Sequence, residues 1–376
     1  MSAERTYLDW NATAPLRPEA RAACIAALDV VGNPSSPHTH GRHARAVVED
    51  AREQVAALVG ARPAEVVFTS GGTEANNAVL AAGWDMIVLS GIEHDSVRTP
   101  AKASKARIVE MPIGRNGVVR VNAPGELAMG APGGRTLLSL QMANNETGVM
   151  QPVAEAASAA KAQGLFVHTD AVQAAGRIPV DLRALGVDYL TLSAHKIGGP
   201  KGIGALVIHE RASLPTFISG GGQERRRRAG TENVAAIAGF GAAAKAAQRD
   251  LARMKQVAAL RDRLEDQVRA VTPDAVLIGA EAGRLPNTTN IGLAGASAET
   301  LVIALDLAGV AVSAGAACSS GKVGTSHVLE AMGLEKTVAR AAIRVSLGWS
   351  STERDVAAFV EAWGRVAARR RERAVA

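Results

Sequence analysis

The sequence predicts an α/β protein: a mainly parallel, seven-stranded sheet sandwiched by helices, followed by a smaller α+β C-terminal domain. Three observations carry this. From residue 65 to about 215, short apolar runs alternate with stretches of helical periodicity, the pattern of strands joined by helical crossovers. The first run closes in Ser70-Gly71-Gly72-Thr73-Glu74, a turn that opens directly into a helix over 75–82. The chain has 376 residues, 47% of them hydrophobic and only 3% aromatic, which supports one large core of Ala, Val, Leu and Ile and a smaller second one.

Taken in order, residues 7–15 are an extended lead-in ending at Pro15. Residues 1–16 are expected to join the small domain, 17–260 to form the large one and 261–376 the small one. A helix over 18–31 places Cys24 on one face with Leu28 and Val31, by three- and four-residue spacing, as a small core residue. The following loop holds His38 and His40, with His43 just beyond it. No cysteine or carboxylate joins these histidines at ligand spacing, so no metal site is expected. A helix over 42–59 ends at Gly60. The seven strands are expected at 65–69, 86–90, 107–111, 136–140, 165–169, 189–192 and 205–209. Gly220-Gly221-Gly222 then opens a loop to Thr231, residues 233–271 are almost wholly helical, and Pro273 punctuates the boundary. Further runs at 275–278, 287–290 and 310–313 surround a helix over 298–308. The loop 314–324, made of small residues, packs poorly and is expected to be mobile. A run over 343–348 and a helix over 352–371 close the chain, which has no internal repeat.

Charge excludes some classes. Forty-two basic against 36 acidic residues give +6, which permits an anionic ligand. The run Arg225–Arg228 reads either as a nucleic-acid contact or as a loop that pairs with acids or holds one phosphate. Without interleaved aromatics the second is favoured, so no nucleic acid is expected. The tail Arg369–Arg373 reads as a solvated helix end. Two cysteines, Cys24 and Cys318, make no disulfide framework. Early charges at Glu4, Arg5 and Asp9 argue against a signal peptide, and the apolar run 301–312 is broken by Asp306. A cytoplasmic protein with no membrane partner is expected.

The chemistry centres on Ser193-Ala194-His195-Lys196, at the end of a strand and before a glycine-rich turn over 197–204. A lysine there is either a solvated charge or an amine in a dry pocket, where burial favours the neutral, nucleophilic form. Asp170 closes the run that precedes it by one strand. An acid and a lysine at the ends of successive strands are the pair that a pyridoxal 5'-phosphate (PLP) site requires. The acid keeps the ring nitrogen protonated and the lysine holds the aldehyde. The Gly71–Gly72 turn can cradle a phosphate at a helix N-terminus, or be a plain strand–helix turn. Neither it nor residues 198–204 match a Walker loop or a dinucleotide fingerprint.

These residues, with Gln173, Gly72-Thr73 and Arg228-Ala229-Gly230-Thr231, resemble the class V aminotransferase-like enzymes of PLP fold type I. Within that group, Cys318 in Ser313-Ala314-Gly315-Ala316-Ala317-Cys318-Ser319-Ser320-Gly321 resembles the loop of the NifS/IscS-type cysteine desulfurases. The opening Tyr7-Leu8-Asp9-Trp10-Asn11-Ala12-Thr13, the segment Asn144-Asn145-Glu146-Thr147-Gly148 and Ile343-Arg344-Val345-Ser346-Leu347-Gly348 fit the same group, in the same order, over nearly the whole chain.

The resemblance implies roles. Lys196 would bind the cofactor's aldehyde and later move the substrate's Cα proton. Asp170 would pair with the ring nitrogen and Gln173 with its phenolic oxygen. His94 would stack on the ring and assist proton transfer. Gly72, Thr73, Ser193 and His195 would hold the phosphate, with Thr231 reaching it from the other subunit of a homodimer. Arg344 and Asn145 would bind the carboxylate of L-cysteine, with Asn11 nearby. Cys318 would take the sulfur as a persulfide, leaving alanine, and pass it to an acceptor such as an iron–sulfur scaffold protein. A thiol is mostly protonated at neutral pH, so its pocket must favour the thiolate. The chain stops soon after its last helix, where housekeeping members carry a longer tail that docks the scaffold. The loop after Cys318 keeps the group's length more than its residues. The competing enzyme reading is another fold type I PLP enzyme, a selenocysteine lyase or a small-amino-acid aminotransferase. The competing non-enzyme reading is a sulfur carrier without catalysis.

Overall fold

The computed structural model describes residues 5–121, 134–315 and 326–375, with side chains described to 370. The seven expected strands form one sheet: β2 (Val66–Thr69), β3 (Met86–Ser90), β4 (Arg107–Met111), β5 (Thr136–Ser139), β6 (Phe166–Asp170), β7 (Tyr189–Ser193) and β8 (Gly204–Ile208), each within a residue or so of its expected position. The order across the sheet is β2-β8-β7-β6-β5-β3-β4. β4, β3, β5, β6 and β7 run parallel, and β8 is antiparallel to both its neighbours. The reversal has a simple cause: only residues 194–203 separate β7 from β8, too short for the crossover a parallel return needs.

Alternation along each strand fills two cores. Val66, Phe68, Met86 and Val88 point to one face, under α2 (Thr39–Leu58), α5 (Val153–Lys161) and α7 (Val234–Arg249). Val67, Ile87 and Leu89 point to the other, under α3 (Gly72–Leu80) and α4 (Asp95–Ala103). A short helix, α6 (Leu182–Leu185), is capped by Asp181 and leads into β7.

A second, antiparallel sheet is built from β9 (Val276–Ile278), β10 (Thr288–Gly292), β12 (Ser313–Ala314) and β13 (Ala342–Ser346), in the order β12-β13-β10-β9. α8 (Met254–Val271), α9 (Ala298–Leu307) and α12 (Glu353–Val375) cover it, and Phe359 stacks on Trp363 at 6.0 Å in the core between them. Met254, Val257, Leu264 and Val268 of α8 lie in this second core. α8 follows the 3-10 turn Asp250–Arg253. Two short helices, α10 (His327–Ala331) and α11 (Lys336–Ala339), complete this part. The lead-in segment crosses to it as well: β1 (Thr6–Tyr7) pairs in parallel with β11 (Val310–Ala311), and Leu8 is buried in the second core.

One helix presents a different face from the one its apolar spacing predicts. In α1 (Pro18–Leu28) the buried residues are Ala20 and Ala27, with Cys24 partly buried between them, while Leu28 and Val31 are 73% and 74% exposed. The reason is α7, which packs on α1 through glycine. A Cβ added at Gly239 would lie 2.2 Å from Cys24 Sγ. Close backbone approach selects the small-residue face of α1 over the larger apolar one. His38 serves the fold as a helix cap: its ring Nδ1 accepts the Gly41 N–H at 3.3 Å at the start of α2. The Arg225–Arg228 run lies in a loop in which Glu224, Arg225 and Arg226 all have positive φ. Buried Glu224 fixes it, taking two hydrogen bonds from Arg52 at 2.7 and 2.9 Å and one from Phe68 N–H at 3.0 Å. Arg228 pairs with Glu74 at 3.0 Å. No helix among the described residues is long and apolar enough to cross a membrane.

Candidate active site

The carboxyl ends of the parallel strands open onto a cavity of about 600 Å³, the place where open α/β sheets bind ligands. β6 delivers Asp170 at its last residue. β7 delivers Ser193, and the 3-10 turn after it carries His195 and Lys196. β2 leads through Ser70 and Gly71 into the N-terminus of α3, whose first N–H groups have no acceptor within the helix. His94 follows β3, Asn145 follows β5, and Arg344 reaches in from β13.

Hydrogen bonds hold these groups in register. Asp170 accepts from Val172 N–H at 2.9 Å and from Asn76 Nδ2 at 2.7 Å. The same Asn76 amide donates to Ser96 Oγ at 2.9 Å, which lies 2.8 Å from His94 Nδ1. One asparagine thus orients both the acid and the imidazole. His94 caps α4, accepting the Ser96 N–H at Nδ1, so in the neutral ring the proton sits on Nε2. Lys196 Nζ donates to the carbonyls of Asn11 and Ala12 at 2.6 and 2.8 Å. His195 is held neutral, its pKa lowered to about 4 by burial and by the neighbouring Lys196 and Lys201 charges. Beneath the site, burial lowers His168 to about 4, bonded to Ser139 and Thr191, and raises Glu93 to about 8.

The expected residues Asn11, Gly72, Thr73, His94, Asn145, Asp170, Gln173, Ser193, His195, Lys196 and Arg344 all line this cavity. Two carry details that the sequence did not suggest. Asn11 is expected to approach the substrate. Its side chain is instead engaged by Asn145 O, Thr288 Oγ1 and Asn287 Nδ2, and what it turns to Lys196 is its backbone carbonyl. Arg344 is expected to bind a carboxylate, yet already pairs with Asp9 at 2.7 Å and donates to Asn145 O at 3.1 Å, leaving its Nε buried without a protein partner. Thr231 is exposed on the loop after Arg228 and does not line the cavity of its own chain. Cys318 and residues 316–325 around it lie outside the described residues.

Sequence reading missed Asn76, Ser96, Arg177 and Glu146. A signal existed for Asn76: an asparagine on the Ala- and Val-rich face of α3, three residues after Thr73, has no packing reason to be there. Glu146 is buried, accepts Ser326 Oγ at 2.5 Å and is raised to about 7 by burial.

The donor set fits PLP. A carboxylate, a lysine and a helix N-terminus converge on one cavity, as ring nitrogen, aldehyde and phosphate require. At Gly72 an added Cβ would come within 3.0 Å of Val172 Cγ2, so glycine lets the helix start lie close to the β6 end. Asn76 Oδ1 and Arg344 Nε, on residues lining the cavity, are buried polar atoms without protein partners.

Comparison with known proteins agrees with this geometry. The family model described as "Aminotransferase class-V" matches residues 6–359. The chain belongs to the aminotransferase class-V family. Among class-V relatives, it is 40% identical to "Cysteine desulfurase IscS" of Dictyoglomus turgidum over 362 residues, covering 93% of this chain and 91% of that protein. It is 39% identical to "IscS-like cysteine desulfurase" of Mycobacterium tuberculosis, covering 98% of each. Among solved structures, the NifS-like protein from Rickettsia africae superposes with a TM-score of 0.90 at 35% identity, over 96% of this chain and 99% of that one. A structure titled "SspA in complex with cysteine" has a TM-score of 0.77 at 27% identity, over 91% and 98%. The class-V fold is the PLP fold type I arrangement, so the large sheet and its cofactor are those of the family.

Proposed function

We propose that this class-V protein is a PLP-dependent cysteine desulfurase, converting L-cysteine to L-alanine and leaving the sulfur as a persulfide on Cys318. What supports the reading is a single cavity onto which Lys196, Asp170, His94 and Arg344 all open, in a chain whose class-V relatives carry that name over nearly their full length.

When bound, PLP supplies an electron sink that lets the Cα–H and then the Cβ–S bond of the amino acid break. The chain's residues do the rest. Asp170, fixed by Asn76 and Val172, would pair with the ring nitrogen and keep it protonated. The start of α3, Ser193 and the neutral His195 would hold the phosphate. Lys196 would hold the aldehyde, then move the Cα proton at Nζ. His94, with its proton on Nε2, would lie against the ring and serve proton transfer. Arg344 receives the substrate carboxylate beside Asn145, using the Nε that has no protein partner. The Cys318 thiolate attacks the substrate sulfur. One S–S bond forms as the Cβ–S bond breaks, Cβ takes up a proton, and the thiol plus cysteine become a persulfide plus alanine.

Thr231, exposed and away from its own cavity, supports a homodimer in which it reaches the partner's phosphate site. The sulfur acceptor is a protein such as an iron–sulfur scaffold. The test is alanine and sulfide formation from L-cysteine under a reducing thiol. Cys318→Ala is expected to abolish sulfide release while the yellow cofactor band persists. A Cys318→Ala protein that still releases sulfide at the parent rate overturns the reading in favour of another PLP enzyme.

A further inference from the structure

Below the cavity floor lies a positive charge with no acid beside it. Arg177 is 7% exposed. Other buried arginines of the chain each meet a carboxylate: Arg17 with Asp250, Arg52 with Glu224, Arg284 with Glu265 and Arg344 with Asp9. Among the described residues, no carboxylate lies within ion-pair distance of Arg177. Its guanidinium donates to Gln173 O at 2.7 Å, to Gln173 Oε1, and to Trp10 O at 3.5 Å. Burial, and then the like charge of Arg344, lower its pKa to about 9, which leaves it a cation at neutral pH. A buried cation surrounded only by neutral oxygens is strongly disfavoured unless an anion is supplied to it.

The geometry says where that anion belongs. A guanidinium has only donors, so the Gln173 atom facing it is the amide oxygen. The amide NH₂ is thereby turned the other way, where it donates to Asn11 O at 3.1 Å. That carbonyl also receives Lys196 Nζ, and Gln173 lines the cavity. Beside the lysine the wall thus offers an N–H donor backed by a fixed positive charge. Such a spot favours an oxygen that is negative.

We infer that Arg177 is a positioning residue: through Gln173 it presents a donor, and by its unbalanced charge it favours the deprotonated form of the phenolic oxygen of bound PLP. The inference rests on the cofactor reading above. It assigns a role to a residue that does not itself touch the cofactor.

The experiment titrates the visible absorbance of the purified PLP-loaded protein from about pH 6 to about pH 10. In Arg177→Gln the loss of positive charge is expected to raise the titration midpoint by on the order of one pH unit. Arg177→Lys keeps the charge and is expected to move it far less. Gln173→Glu guards against a variant that fails to fold. It gives Arg177 a carboxylate partner, so its Tm is expected to match or exceed the parent's while its midpoint also rises. Midpoints that stay at the parent value in both Arg177→Gln and Gln173→Glu overturn the role of Arg177 alone. A parent protein with no lysine-linked visible band overturns the cofactor reading, and this inference with it.

Discussion

Asn76 carries more of the site than its place in a helix suggests. Its amide NH₂ serves Asp170 and Ser96, and through Ser96 the imidazole of His94. Removing it takes one donor from a carboxylate that must stay ionised and frees the group that holds the ring of His94. A hydrogen bond to a charged group contributes about 1.5–3 kcal/mol. Asn76→Ala should therefore lower kcat/KM by about 10- to 100-fold, with circular dichroism unchanged, and steady-state kinetics on L-cysteine check it. At this scale the sequence pointed to the chemically committed residues, and Lys196 and Asp170 do line one cavity. The sequence was not legible where a common amide or hydroxyl acts through a second residue, because Asn76, Ser96 and Arg177 acquire meaning only from what the fold sets beside them.

Among the elements, strands were easier to read than helix faces. Strands such as β3, β7 and β8 are buried on both sides, so their runs are largely apolar and their ends are sharp. The direction of β8 was also available, in the ten-residue connection before it, had loop length been weighed. In α1 side-chain size misleads as a guide to burial, because the fit against α7 depends on smallness. That fit can be tested. Gly239→Ala would set a Cβ 2.2 Å from Cys24 Sγ and 2.8 Å from Pro200 Cγ. Overpacking of this kind costs about 1–3 kcal/mol, so urea unfolding should show a lower midpoint. An unchanged midpoint would mean that α1 shifts freely on α7. The Glu224 anchor belongs to the same scale. Three successive residues with positive φ are tolerated there because a buried carboxylate, bonded by Arg52 and Phe68 N–H, holds the turn.

For the whole molecule, buried titrating groups set the pH dependence of stability. Glu93 and Glu146 keep their protons to about 8 and about 7 in the folded state, against a little above 4 when unfolded. The folded protein binds more protons in that interval, so their contribution is greatest at low pH and is lost as pH rises through those values. His168 and His195, lowered to about 4, act in the opposite sense: their contribution is present above about 6.5 and is lost as pH falls towards 4. The two effects oppose one another below about pH 6.5, and above it the carboxyls dominate until Arg177, lowered to about 9, begins to titrate. Tm should therefore fall from about pH 6.5 to about 8.5, and Glu93→Gln should flatten that fall, both measurable by scanning calorimetry. A parent Tm that climbs across this interval would contradict the assignment. That the lead-in segment joins the small domain was expected; which strand it pairs with was not legible, because two residues pairing with a strand some 300 positions later leave no periodic trace.

That crossing bears on biosynthesis. The carbonyls of Asn11 and Ala12 that seat Lys196 belong to a segment made first. The strands that clamp this segment, β11 and β13, are made last. While the ribosome is still working on the middle of the chain, the lysine has its sheet but not its seat. Vitamin B6 capture would then have to wait for the final third of translation, and nascent chains arrested before residue 310 should retain none.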